Sequence, residues 1–187
     1  MADLSNLTPG TWNVDPVHSN VAFSVRHLVV AKTRGRFGTF EGVVTIADDP
    51  LQSKVEATVQ TASIDTGDEG RDNHLRTGDF FEAETYPTLT FVSTGIKPDG
   101  GDYELTGDLT IKGVTKPVTW ELEFNGVVTD PWGNTRAGFS AETEVNRKDW
   151  GLDWNVALEA GGWLVGETVD LEIEIAVQEL AAVAVAA

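Results

Sequence analysis

The chain contains no cysteine, which removes disulfide staples, thiol nucleophiles and thiolate-built zinc sites in one step. Positive charge is the next scarcity: 13 Lys and Arg stand against 30 Asp and Glu, a formal charge of -17. Such a surface repels nucleic-acid phosphates and anionic headgroups at long range, so nucleic-acid binding is excluded as a primary role. Long apolar runs are missing as well. The terminal "AAVAVAA" is far too short to span a bilayer. The start "MADLSNLTPG" has neither a basic n-region nor an apolar core, and a soluble cytoplasmic protein is the expectation. No G-x-S-x-G and no glycine-rich phosphate cradle is present, so catalysis finds no support. His18, His27 and His74 are the only histidines. With Asp15, Glu41 and Asp72 as possible partners they show no metal-ligand spacing, and neither metal nor cofactor is expected.

What is present is alternation with a period of two. In "NVAFSVRHL", Val21, Phe23, Val25 and His27 share one face, and Ala22, Ser24 and Arg26 the other. The pattern predicts further strands near 10–15, 36–47, 53–64, 88–96, 102–112, 115–126, 135–146 and 166–178. In the last, Val169, Leu171, Ile173, Ile175 and Val177 form a dry face against Glu172, Glu174 and Gln178. Turn residues at Asp48-Asp49-Pro50, Pro98-Asp99-Gly100-Gly101, Lys112-Gly113 and Asp130-Pro131-Trp132-Gly133 favour meander connections. So many antiparallel strands must dispose of their edges in a closed barrel or in two packed sheets. One all-β domain is expected over 10–180, with 1–9 as an N-terminal extension and 181–187 as a C-terminal tail.

Two connections, near Asp65 to Pro87 and near Arg147 to Gly166, are too long for hairpins. In the first, "RDNHLRTGDFFEAETYPTLTF" interrupts the alternation. Asp72 is placed to cap a short helix running through Arg76, and Gly78 to end it. Asp79 with Glu82 resembles a second capping box. Phe80 and Phe81 would then point inward as a stopper on one end of the domain.

Five stretches together carry a resemblance: "WNVDPVHSNVAFSVRHL", "GRFGTFEG", "RDNHLRTGDFFEAETYPTLTF", "GDLTIKGVTKPV" and "NRKDWG". On these the chain resembles the YceI-like, polyisoprenoid-binding family from Trp12 to Val177. The resemblance implies a single lipocalin-like antiparallel β-barrel of about eight strands, with short helical segments in one long loop. It implies a bore that holds a long-chain isoprenoid, an isoprenoid quinone or a fatty amide. It also implies members that are often periplasmic, and homodimerisation.

Candidate ligand contacts are Phe23, Val25, His27, Phe37, Phe40, Phe80, Phe81, Phe91, Leu109, Trp120, Phe139 and Trp150. The residues alone favour these side chains filling a solid core, as in small barrels; the resemblance favours a hollow one. Between Val17 and Phe40 there is no acid, and Arg26, His27, Lys32, Arg34 and Arg36 crowd together. Arg34 and Arg36 are therefore candidates to meet a polar headgroup, with a solvated, acid-paired face as the alternative. Arg71 and Asp72 read as ion-pair partners that fix their loop, and His74 as its hydrogen-bonded tie. Carbohydrate binding is the rival function, because Trp132, Trp150, Trp154 and Trp163 cluster in the last third and aromatic platforms stack on sugar rings.

Overall fold

A computed structural model describes residues 3–28, 30–159 and 161–180; the expected tail at 181–187 lies outside them. The strands are β1 (Gly10–Val14), β2 (Asn20–His27), β3 (Ala31–Phe37), β4 (Phe40–Ile46), β5 (Lys54–Gln60), β6 (Ile64–Asp65), β7 (Thr88–Asp99), β8 (Asp102–Ile111), β9 (Val114–Thr129), β10 (Thr135–Asn146) and β11 (Val165–Glu179). Each pairs antiparallel with its neighbours, and β1 closes the sheet onto β11.

Three pairs of short strands act as single bent ones. β11 takes β1 along its C-terminal part, with Val14 opposite Val177, and β2 along its N-terminal part, with Val25 opposite Val169. Likewise β4 lies on β1 while β3 lies on β2, and β5 lies on β4 while β6 lies on β3. Counted this way the sheet is a closed eight-stranded meander barrel, and the edges that a flat sheet would expose are consumed.

Alternation explains most elements directly. Along β9, Val118, Trp120, Leu122 and Phe124 are buried while Thr119, Glu121 and Glu123 are exposed. β3 departs from the expectation, which started a strand only at 36 and ran it through to 47. Its sequence "AKTRGRF" has one large apolar side chain, so the period-two signal is faint. The alternation is nevertheless real, with Lys32, Arg34 and Arg36 exposed and Thr33, Gly35 and Phe37 turned inward.

The two ends of the barrel differ. At one, the plugged end, a core gathers Trp12, Val44, Ile46, Phe124, Ala137 and Val177. Here the segment ahead of β1 packs onto the barrel: a short 3-10 turn at Leu4–Asn6 inserts Leu4 and Leu7 into that core, 4% and 5% exposed. The Trp12 indole N–H fastens the turn by donating to the Thr8 carbonyl at 3.1 Å. The other, the lid end, carries both long connections. In the first, helix α1 spans Glu69–Leu75, and its N-cap is Asp68, whose carboxylate accepts from the Arg71 N–H at 2.8 Å. Asp72, the expected cap, lies inside the helix instead, because its carboxylate is engaged with Thr66.

A charged knot pins the bend between β1 and β2 to the β9–β10 turn. Arg136 donates to Asp15 at 2.6 Å and to Asp130 at 2.8 Å, while His18 bonds Asp15 at 2.8 Å. The His18 hydrogen bond, with help from Arg136 and the Val17 N–H, lowers the Asp15 pKa to about 2. Arg136 and Asn134 hold the Asp130 carboxyl well below its usual range. A carboxylate with a lowered folded-state pKa binds fewer protons folded than unfolded. The stabilisation is therefore complete above the ordinary value near 4 and fades as pH falls towards about 2. Urea unfolding measured across that window should show stability dropping with pH, and Asp15→Asn should flatten the slope by up to about one proton. An unchanged slope would assign the acid sensitivity elsewhere.

Candidate functional site

The barrel is hollow. A cavity of about 620 Å³ runs through it, within the range of small-molecule sites. Its lining reaches from Leu4, Leu7 and Pro50 at the plugged end to Gly70, Arg71 and Leu164 at the lid end. On β11 it extends from Val165 to Ile175. That is roughly 33 Å of strand, or about 25 Å of bore at the usual barrel tilt. The cavity is longer than it is wide, and its wall is almost entirely aliphatic and aromatic.

Two glycines keep it open. A Cβ on Gly35 would strike the ring of Phe23 and the Thr66 methyl, and a Cβ on Gly107 would strike the Phe91 ring and the Val92 carbonyl. Phe23 faces Gly35 in register across β2 and β3. With hydrogen in place of a side chain on the facing strand, each ring lies flat on the wall and leaves the centre free.

All twelve side chains picked from sequence line this cavity: Phe23, Val25, His27, Phe37, Phe40, Phe80, Phe81, Phe91, Leu109, Trp120, Phe139 and Trp150. The solid-core alternative is thereby set aside. Phe81 meets Phe37 edge to face at 6.0 Å, and Phe91 meets Trp120 at 5.9 Å. The dry face of β11 adds Leu171, Ile173 and Ile175, and β9 adds Leu122.

The basic residues are placed differently from the expectation. Arg34 and Arg36 are exposed on the outer face of β3 and do not reach the cavity; Arg36 pairs with Asp65 at 3.2 Å. Strand parity decides this, since Thr33, Gly35 and Phe37 occupy the inner face. Arg71 and Asp72 also depart from the expected ion pair, because both converge on Thr66. Asp72 accepts from the Thr66 N–H at 2.9 Å and from its hydroxyl at 2.5 Å. Arg71 donates to that hydroxyl at 2.7 Å and to the Thr66 carbonyl at 2.9 Å. Arg76 adds bonds to the Ala62 and Ile64 carbonyls, each at 2.8 Å. His74 ties back to Asp79 at 2.9 Å and sits edge-on to both Phe80 and Trp154. These bonds hold α1 over the barrel end with Phe80 and Phe81 beneath it.

The second connection is anchored by residues that sequence reasoning passed over or underread. Arg147, quoted only within "NRKDWG", is 5% exposed and lines the cavity. It donates to the Gly166 carbonyl at 2.8 Å and to the Leu152 carbonyl, and its Nη2 is buried without an acceptor. Burial draws its pKa down, opposed by the charges of Glu167 and Asp153. Trp150, 2% exposed, donates its indole N–H to the Leu109 carbonyl at 3.1 Å. Gly151, at φ 70°, closes the turn after it. A buried arginine carries no mark in sequence, because its acceptors are backbone carbonyls.

The tryptophans do not form a platform. Trp150 and Trp154 belong to the lid and cavity wall. Trp132 sits in the β9–β10 turn at the plugged end, and Trp163 beside β11 at the lid end. The two exposed ones, Trp132 and Trp163, thus stand at opposite ends of the barrel and share no surface.

Known proteins place this architecture. The profile of the YceI-like domain matches residues 12–177. Protein YceI of Escherichia coli is 42% identical over 159 residues, covering 84% of this chain and 80% of the relative. The crystal structure of Burkholderia cenocepacia BcnA superposes with a TM-score of 0.72 at 28% identity, over 87% of this chain and 98% of that one. A polyisoprenoid binding domain from Saccharophagus degradans has a TM-score of 0.70 at 16% identity, over 90% and 98% of the two chains, and shares the fold.

Proposed function

We propose, from the premise that this chain belongs to the YceI-like family, that the barrel binds a long apolar molecule and carries or sequesters it without converting it. The ligand class is an isoprenoid, an isoprenoid quinone or a fatty amide. The observation that carries this reading is the apolar cavity of about 620 Å³ running lengthwise through the barrel. The Saccharophagus degradans domain of the same fold, described as polyisoprenoid binding, supports it.

The energetics suit a chain-like guest. Each five-carbon isoprene unit contributes roughly 1.5 kcal/mol at drug-like ligand efficiency. Five units then reach about 7.5 kcal/mol, close to micromolar affinity before any headgroup contributes. The headgroup is left to set orientation and selectivity. Among the described residues Trp120 Nε1 and Arg147 Nη2 are buried donors without a partner; the rest of the lining offers few polar atoms, so recognition along the bore is chiefly by shape and apolar burial.

Native mass spectrometry of gently purified protein tests the reading. A discrete added mass that organic extraction removes and identifies as a long-chain lipid is the expected result. A preparation free of lipid that also takes up none of an offered farnesyl or longer prenyl chain would overturn it.

A further inference from the structure

Four large apolar side chains are exposed together at the lid end. Leu28 is 42%, Val30 85%, Val156 45% and Trp163 52% exposed. Backbone bonds set their segments side by side. The Leu28 N–H donates to the Leu164 carbonyl at 2.9 Å, and the Leu164 N–H to the Val156 carbonyl at 2.9 Å. An antiparallel bridge joins Ala157 to Trp163 alongside. The adjoining His27, Leu164 and Val165 line the cavity. Patch and cavity wall are thus built from the same short stretches of backbone.

The strands leading to this patch are basic on their outer face. Arg26 lies opposite Lys32, and Arg34 opposite Ser24, with all three cations exposed. Lys32 is taken by Asp170 at 2.6 Å and Arg36 by Asp65 at 3.2 Å. Among the described residues no carboxylate lies within ion-pair distance of Arg26 or Arg34. A chain with a net charge of -17 therefore keeps two arginines outside any close ion pair on the strands leading to its exposed apolar tip, with Arg26 also acting on the Asp170 charge through space.

We propose that the lid end docks on the surface of an anionic phospholipid bilayer, with Leu28, Val30, Val156 and Trp163 entering the headgroup layer and Arg26 and Arg34 resting on the phosphates. A tryptophan among aliphatic side chains, rimmed by arginines, matches the chemistry of that layer. The overall negative charge does not forbid it. The Debye length at physiological salt is about 8 Å, whereas the bore alone is about 25 Å long. Acids in the plugged-end turns, such as Asp48, Asp99 and Asp130, are screened from a membrane at the opposite end, so the carboxylates that Arg26 and Arg34 must outweigh are the local ones, the exposed Asp153 and Glu159 of the segment that carries Val156 and Trp163. Docked this way, the barrel sets its lid connections against the bilayer, where an apolar guest has a dry route in or out. That purpose rests on the carrier reading; the docking itself does not.

Flotation with vesicles measures docking, and uptake of a fluorescent prenyl probe in vesicle-free buffer measures binding separately. The parent should float with phosphatidylglycerol–phosphatidylcholine vesicles, and roughly tenfold less with phosphatidylcholine alone or in high salt. Val30→Ser with Trp163→Ser should lower flotation about tenfold. Arg26→Gln with Arg34→Gln should lower it several-fold and remove its salt dependence. Both pairs should retain probe uptake. Absence of parent flotation with anionic vesicles, or flotation indifferent to both pairs, overturns the proposal. A dimer in sedimentation that Val30→Ser and Trp163→Ser dissolve would assign the patch to a second copy and overturn it as well. Flotation without probe uptake in the parent would leave docking standing and remove the carrier reading.

Discussion

Protein carrying Ala57→Trp and Ala141→Trp together is expected to take up a prenyl probe at least roughly 100-fold more weakly, a loss of about 2.7 kcal/mol, while melting within a few degrees of the parent. Both alanines line the cavity. Counted around the closed sheet, β5 and β10 stand four strands apart, on opposite sides of the bore. Two indoles entering from opposite walls occupy the volume an apolar chain would need. In a well-packed core such insertions cost about 1–3 kcal/mol or more each. In a hollow one the rings bury against existing apolar wall, and stability holds. Titration with the probe and calorimetric melting of the same samples separate the outcomes. Loss of binding with retained stability identifies a hollow carrier; retained binding places the ligand elsewhere.

Trp150→Ala is expected to destabilise the protein by about 3–5 kcal/mol, the usual range for truncating a buried tryptophan. For a domain of this size that corresponds to a fall in Tm of roughly 6–20 °C. Two losses combine: a side chain that is 2% exposed leaves a void, and the Leu109 carbonyl loses its indole donor. Trp150→Phe restores most of the packing and none of the hydrogen bond, so a smaller loss of about 1–2 kcal/mol is expected. Because Trp150 fastens the second connection to β8, probe release from Trp150→Ala should also be faster. A melting temperature unchanged in both variants would remove Trp150 as an anchor of the lid end.

The elements that read clearly were those whose signal is local. β2 and β11 alternate strictly, and the pleat alone predicts their inner faces residue by residue; for β9 and β10 it predicts the strands, with Trp120 and Phe139 as inward candidates. The strand candidates among the twelve face the cavity because large side chains on an inner face have nowhere else to go, while Phe80, Phe81 and Trp150 reach it from the two connections. That the space between them is empty is a different kind of fact. It depends on Gly35 and Gly107 letting rings lie against the wall, and on closure of the sheet, neither of which a single strand reveals. β3 was masked because its inner face carries threonine, glycine and one phenylalanine. Its arginines drew attention as a patch, but parity turns them outward. In the lid, composition marked the right segment while the bonds were misassigned. Asp72 and Arg71 looked like partners, whereas both answer to Thr66, a residue with no distinguishing context in sequence. Arg147 satisfies backbone carbonyls across the second connection, and such contacts become visible only when the chain is folded.

The barrel makes eight passes, an even number, so the chain returns to the side from which it set out. Trp12 lies opposite Glu179, and the described polypeptide starts and finishes around the core built on Leu4 and Leu7. The two ends of the described residues therefore both lie on the plugged side. The lid connections lie at the far end of the bore from both, so neither end of the described polypeptide crowds the face that carries them.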